Sequence, residues 1–333
     1  MRFHAGAPQY VAGLAAALVL VLAAACADST DPDFDPDPDP ATGHPLGANL
    51  TFALIGHGPW GTAVSSRGDL YVTRPFTDSI TRVAYADSVP TVIGSFRVGQ
   101  RPDEIVFSAD GRTAYSTNIN SANISVINAV SGAESRAFDV PGQPLRIAAG
   151  SGEQKLYITL TNGSLLVVDE ATGTVDTTLS IGATPNGIAI DLMRQRLWVS
   201  STNGTLTEVN TVNNTKGRVV TLGGSPQDVS LHPTNTSIYI ANEMGWITVL
   251  DRVSLARSDS IPMPGAFRMA FTRDATQLWV SQSALGQVHV VSVATGDPLF
   301  AIPTGGSPRH IAFSVGGARA FIANENGRLQ MVR

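Results

Sequence analysis

The 333 residues contain one cysteine, Cys26. No disulfide can form within the chain, so the fold must be held by packing and hydrogen bonds alone. Charge is sparse, with Asp, Glu, Lys and Arg making up 15% of the residues. It also has no basic excess: 22 Lys and Arg stand against 27 Asp and Glu. Setting aside Arg2 and the aspartates at 28, 31, 33, 35, 37 and 39 leaves 21 of each sign. Proteins that bind nucleic acid usually carry a basic excess that neutralises phosphates, so no nucleic-acid partner is expected. Signatures of chemistry are missing too. There is no G-x-S-x-G elbow, Walker loop, H-E-x-x-H, C-x-x-C-H or dinucleotide fingerprint. No cofactor is implied.

The apolar run Val11–Ala25 is shorter than the ~20 residues that span a bilayer. It follows a weakly basic start and ends in small residues, the pattern of a signal peptide. Leu22-Ala23-Ala24-Ala25-Cys26 resembles a bacterial lipobox, in which the cysteine is lipidated and becomes the new N-terminus. The alternative is an ordinary signal peptide cut nearby, with an incidental cysteine. The resemblance implies an extracytoplasmic protein anchored to the membrane through Cys26. Ala27 is not the aspartate that retains enteric lipoproteins in the inner membrane, so the outer membrane is expected where the host has one. Residues 26–47 include repeated Asp-Pro, which supports neither helix nor sheet, and read as a stiff acidic tether. A calcium-binding role for it would need glycine-spaced ligands that are not there.

From residue 48 onward a single pattern repeats. Prolines at 59, 102, 144, 185, 226 and 308 are spaced by 43, 42, 41, 41 and 82 residues, the last gap being two periods with the missing beat at Ala266. Within the unit Val98–Val140, strands are expected at Glu104–Phe107, Thr113–Thr117, Ile124–Asn128 and Ser135–Val140, with turns at Asp110-Gly111 and Ser131-Gly132. Four short strands per ~40–45 residues is the signature of a β-propeller blade.

Each second strand carries a tetrad: Tyr71-Val-Thr-Arg74, Tyr115-Ser-Thr-Asn118, Tyr157-Ile-Thr-Leu160, Trp198-Val-Ser-Ser201, Tyr239-Ile-Ala-Asn242, Trp279-Val-Ser-Gln282 and Phe321-Ile-Ala-Asn324. The series resembles the YVTN β-propeller repeat of bacterial and archaeal extracytoplasmic and surface-layer proteins. It predicts an all-β, seven-bladed propeller of four-stranded antiparallel blades. The seventh unit lacks a fourth strand, and Asn49–Ile55 has no blade of its own, so this N-terminal strand should complete the last blade and close the ring. A monomer is expected.

The resemblance also implies where a site would lie. First strands line the axis of a propeller, and the links into them converge with the second-to-third-strand loops on one face. The residue two after each beat should then sit at the channel mouth: Gly61, Glu104, Arg146, Gly187, Asp228, Arg268 and His310. Five of the seven are ionisable, which fits either a polar binding site of mixed charge or a rim that is merely solvated. Blades six, seven and one should bring His57, Trp60, Phe267, Arg268, Arg309 and His310 together, a set suited to an anionic or aromatic ligand. Arg268 and His310 would donate to the anion, and neither is expected in a blade core. The function expected is a binding or interaction module for a small anionic ligand, a glycan or an envelope protein. One alternative is a metal-dependent hydrolase or lyase of the lactonase kind. Its metal would draw on Glu104 and Asp228, with Asn118, Asn242 or Asn324, although Arg146 and Arg268 at the same mouth would repel a cation. A structural envelope component is the third reading.

Overall fold

The computed structural model describes residues 43–45, 50–86, 89–150, 154–234 and 236–333. Cys26, the leader and the tether up to residue 42 lie outside the described residues. Seven four-stranded sheets form, all with antiparallel neighbours. Each is one blade. The first strands are Thr62–Val64, Pro102–Phe107, Pro144–Gly150, Pro185–Asp191, Pro226–Leu231, Arg268–Phe271 and Pro308–Phe313. Apart from one 3-10 turn, Ser283–Leu285, the regular structure among the described residues is strand.

Blade two shows how closely sequence dictates the unit. Its strands run Pro102–Phe107, Thr113–Asn118, Asn123–Asn128 and Ala133–Asp139. The first begins two residues before its expected start, because Pro102 pairs with Asn118 ahead of a break in the ladder. Gly111 and Gly132 occupy the two turns with φ of 68° and 65°, a region costly for residues bearing a Cβ.

The ring closes as expected. Leu50–Leu54 pairs antiparallel with Arg328–Val332 and becomes the fourth strand of blade seven. Its Ala53, with the following Ile55, enters a core shared with Leu70, Val72 and Tyr85 of blade one and Phe321 and Met331 of blade seven. Apolar clusters of this kind fill the interfaces between adjacent blades. The large residues that open the tetrads sit there: Tyr71, Tyr157, Trp198, Trp279 and Phe321 are fully buried. They pack blades together and are closed to a ligand.

Of the segment read as a tether, Gly43–Pro45 is described, and it lies against the face opposite the channel mouth. Gly43 N–H donates to the Gly316 carbonyl, Asp274 N–H donates to the Gly43 carbonyl, and His44 Nδ1 meets Asp274 Oδ2 at 2.6 Å. Asp274 and Gly316 both lie in first-to-second-strand loops, of blades six and seven. The chain is thus fixed to the propeller before the closing strand begins.

Removing Leu50–Leu54 should bare the Arg328–Val332 edge and open the blade seven–one core. We expect the loss of several kcal/mol, a fall in Tm on the order of 10 °C or more, and aggregation. Removing residues 28–40 should leave Tm unchanged. Thermal melts of the two deletions, compared with the full chain, check this; equal Tm values would show that the strand does not close the ring.

Candidate functional site at the channel mouth

The proline beat matters because the first strand bulges directly after it. In five blades the register of that strand shifts just past the proline: between Pro102 and Ile105, Pro144 and Ile147, Pro185 and Gly187, Pro226 and Asp228, and Pro308 and Ile311. Such a bulge inserts an unpaired residue and re-aims side chains. In blades two and three it also frees a backbone N–H that a tetrad hydroxyl accepts, and blades one and six make the same bond without a register shift. Glu104 N–H donates to Thr117 Oγ1 (3.0 Å), Arg146 N–H to Thr159 Oγ1 (3.1 Å), Arg268 N–H to Ser281 Oγ (3.1 Å) and Gly61 N–H to Thr73 Oγ1 (2.8 Å).

The expected ring of Glu104, Arg146, Asp228, Arg268 and His310 does converge on the axis, at one end of a channel cavity of about 580 Å³. It does not present free charges. Glu104 Oε2 accepts from Arg146 Nη1 at 3.2 Å and from Arg268 Nη2 at 3.4 Å, while Glu104 Oε1 meets His310 Nε2 at 3.2 Å. Arg268 Nη1 reaches Asp228 Oδ1 at 3.0 Å, and Asp228 Oδ2 accepts the Met269 N–H at 2.9 Å. Arg146 also binds Asp103. Three carboxylates therefore face two guanidinium groups and one imidazole, and the network plugs the channel.

Around it, the residues one after each beat form an outer tier. Arg146 donates through Nε to the Asn186 carbonyl (2.9 Å) and through Nη2 to Asn186 Oδ1 (3.2 Å). The Asn186 amide donates to Gln227, whose Nε2 donates to Glu243 Oε2 at 2.9 Å. On the other side Arg309 lies over Trp60 (4.2 Å) and Phe267 (5.0 Å) and pairs with Glu325 at 2.8 Å. The sector of blades six, seven and one is thus assembled as expected, but its cation is already sandwiched and paired. His57 is exposed on the link into blade one and makes no hydrogen bond, ion pair or ring contact with the cluster among the described residues. Asp103, Asn186 and Gln227 escape a reading of the sequence alone, although they share the repeat position of Trp60, Phe267 and Arg309.

These contacts shift the titrations. Burial pushes the Asp228 carboxyl up to about 7, and it raises Asp103 as well, despite Arg146 beside it. Burial acts the same way on Glu104, but His310 and Arg146 together hold it below its ordinary value. For His310 burial opposes the charge, and the Glu104 carboxylate outweighs it and raises the imidazole.

The residues do not fit a divalent ion. Both oxygens of Glu104 and both of Asp228 already accept from cations or from backbone N–H. Asn242 and Asn324 accept from Ser225 and Ser307 N–H, fixing the links into blades five and seven. Asn118 donates to Asn123 Oδ1 and Ser125 Oγ. Among the described residues, no group of three or more His, Cys, Asp or Glu is arranged to hold a metal.

No family model matches the chain, and no curated protein matches it. Solved structures do share its fold. A chain of hydrazine synthase from Kuenenia stuttgartiensis aligns with a TM-score of 0.75 and 16% identity, covering 86% of this chain and 98% of that one. At that identity the likeness is one of fold.

The buried network has two measurable consequences. Arg268→Ala removes one cation from between two buried carboxylates and should destabilise by about 3–5 kcal/mol in a denaturant titration; an unchanged midpoint would mean that the network is loose. Stability should also depend on pH. The folded state raises His310, so its contribution is complete below pH 6.5 and is lost as pH climbs through the folded value. Ionising Asp228 costs stability between 3.8 and about 7, in the same direction. Glu104 is lowered, so its contribution holds above 4.5 and fades in acid. Tm should therefore peak in mildly acidic solution and decline past pH 6.5, and His310→Gln should flatten that decline.

Proposed function

We propose that the protein is a lipid-anchored, extracytoplasmic binding module that recognises its partner with the propeller face bearing the channel mouth. The observation that carries this reading is the mutual neutralisation of Glu104, Arg146, Asp228, Arg268 and His310. A general base or a nucleophile must keep a reacting position open, and here each ionisable group is held by its neighbours. Open chemistry begins outside the plug, at the aromatic rim around Trp60. Four-residue second-to-third-strand loops in blades one, two and six raise that rim; the other blades have three. Near-equal charge over the propeller suits a neutral or singly charged ligand rather than a polyanion. The lipobox at Cys26 supports the address.

Two measurements test the reading. Wild-type protein should sediment with membranes, and Cys26→Ser should release it or leave it unprocessed; a wholly soluble wild type refutes the anchor. A photo-crosslinking residue at Leu285, on the mouth face, should label an envelope component in cells, whereas one at Asp110, on the opposite face, should not. Equal labelling from both faces, or none from either, refutes the recognition surface.

A further inference from the structure

A second cavity, of about 390 Å³, opens on the mouth face between blades one and two. It is lined by Trp60, Pro75, Phe76, Arg101, Asp103 and Asn120. We propose that this cleft binds an acidic sugar, a uronic acid residue or its terminal glycoside. The proposal rests on the binding-module reading and gives it a ligand class.

Phe76 is the first anomaly. It is 72% exposed on the second-to-third-strand loop of blade one, where a lone phenylalanine gains nothing from the fold. Yet its ring lies over Gly58, at a position where any Cβ would collide with the ring. The exposed ring rests against the Gly58 backbone. Trp60, half-buried, lines the same cleft while Arg309 stacks on its indole at 4.2 Å. The cleft thus has an aromatic residue on each of two converging segments, and the C–H faces of a pyranose pack on such rings.

Arg101 is the second. It precedes Pro102 with a φ of 56°, which is unfavourable for any residue with a Cβ and worse before proline. The equivalent positions Gly58 and Gly265 carry glycine at φ of 71° and 70°. Its N–H donates to Asp78 Oδ1 at 2.9 Å, a bond glycine would also make. Among the described residues its guanidinium has no hydrogen bond, ion pair or ring contact. Its charge acts on the buried Asp103 carboxylate two residues on, yet no hydrogen bond or ion pair holds it, so a strained backbone carries a cation over the cleft with its donors open. A carboxylate is the partner its planar fork best matches.

Asp103 and Asn120 then decide between ligand classes. Asp103 is 3% exposed and binds Arg146 through Oδ2, which leaves Oδ1 for a donor from the cleft. Asn120 is exposed at the rim and offers an amide. An aromatic carboxylate would satisfy the rings and Arg101 but would cover Asp103 without giving it a proton donor, at a desolvation cost. A sugar acid supplies hydroxyl donors for Asp103, acceptors for Asn120, a carboxylate for Arg101 and C–H faces for Phe76 and Trp60. The volume suits one such residue, within the usual range of small-ligand pockets.

The test is calorimetric titration of the intact propeller with methyl β-D-glucuronide, its methyl ester, methyl β-D-glucoside and benzoate. The glucuronide should bind, with the ester and the glucoside at least about tenfold weaker, as expected for loss of a charge-assisted hydrogen bond. Benzoate should be weaker still. Arg101→Gly should cost the glucuronide at least about tenfold in affinity while leaving Tm equal or higher, because glycine relieves the strain; a merely structural arginine would lower Tm. Phe76→Ala should also weaken binding with Tm unchanged. Benzoate matching the glucuronide, the ester matching the acid, or Arg101→Gly binding like wild type overturns the proposal. If the mouth face cross-links to an envelope component and no sugar acid binds, the ligand class is wrong and the binding module stands; if both fail, both are wrong.

Discussion

In blades one, two, three and six the structure depends on a hydrogen bond made at the start of the first strand. Without it a backbone N–H two residues past the beat would be left unpaired in the interior, at a cost of roughly 1–3 kcal/mol. A tetrad hydroxyl takes that N–H and donates onward to the first strand of the next blade. Thr73 Oγ1 reaches the Asp103 carbonyl (2.9 Å), Thr117 Oγ1 the Leu145 carbonyl (3.2 Å), and Ser281 Oγ the Arg309 carbonyl (2.9 Å). One small side chain therefore satisfies that N–H and ties adjacent blades together near the axis. In blade four Ser200 Oγ makes no hydrogen bond, blade seven has Ala323 in that place, and blade five has Ala241. There the Asp228 carboxylate makes the tie instead, accepting the N–H of Met269 in blade six. A residue that the sequence offers as a ligand group thus has a structural duty in the ring.

At the same point of the first strands Asp103 and Glu104 of blade two turn toward the channel with Arg146, Asp228, Arg268 and His310, and this makes the plug. Burying several charges is not stabilising in itself, since desolvation offsets most of the attraction. What the network supplies is a unique arrangement: Glu104 from blade two is held at once by Arg146, Arg268 and His310, from blades three, six and seven. Cutting one member leaves the others buried and uncompensated. The plug closes the channel at the mouth, while below it the walls are mixed, with Thr62, Ser66, Ser108 and Ser230 beside Ala149, Ala189 and Ala312.

Local and periodic features are legible in the sequence because each is decided within one unit. Asp-Gly and Asn-Gly turns, the tetrads and the spacing of prolines repeat often enough to give strands, blades and, by the missing fourth strand, the closure by Leu50–Leu54. Which residues face the axis is legible for the same reason. Whether they touch is not. Glu104 and Asp228 come from blades two and five, and the repeat alone sets them opposite each other across an open mouth, yet Arg268 spans them. The width of the channel is set by the lengths and charges of the side chains that fill it, and no single unit carries that information. Asp103 and Asn186 are hidden in the sequence because they precede the expected position by one residue, and only the bulge makes neighbours point the same way.

A repeat gives a reference against which each blade can be judged. Departures from it come in two kinds. Arg268 and His310 depart by placing charge at the axis, and the fold compensates them with carboxylates from other blades. Arg101 and Phe76 depart and are not compensated in the same way: one holds a left-handed backbone before proline, the other exposes an aromatic ring, and among the described residues neither gains a hydrogen bond, ion pair or ring contact for its guanidinium or its outer face. Compensated departures are part of how the ring holds together. Uncompensated ones persist against a small but steady cost in stability, and the gain that offsets it has to come from outside the chain. Both lie on the same cleft, beside a carboxylate buried against an arginine. The site to examine on this propeller is therefore at its rim, between blades one and two, rather than on its axis.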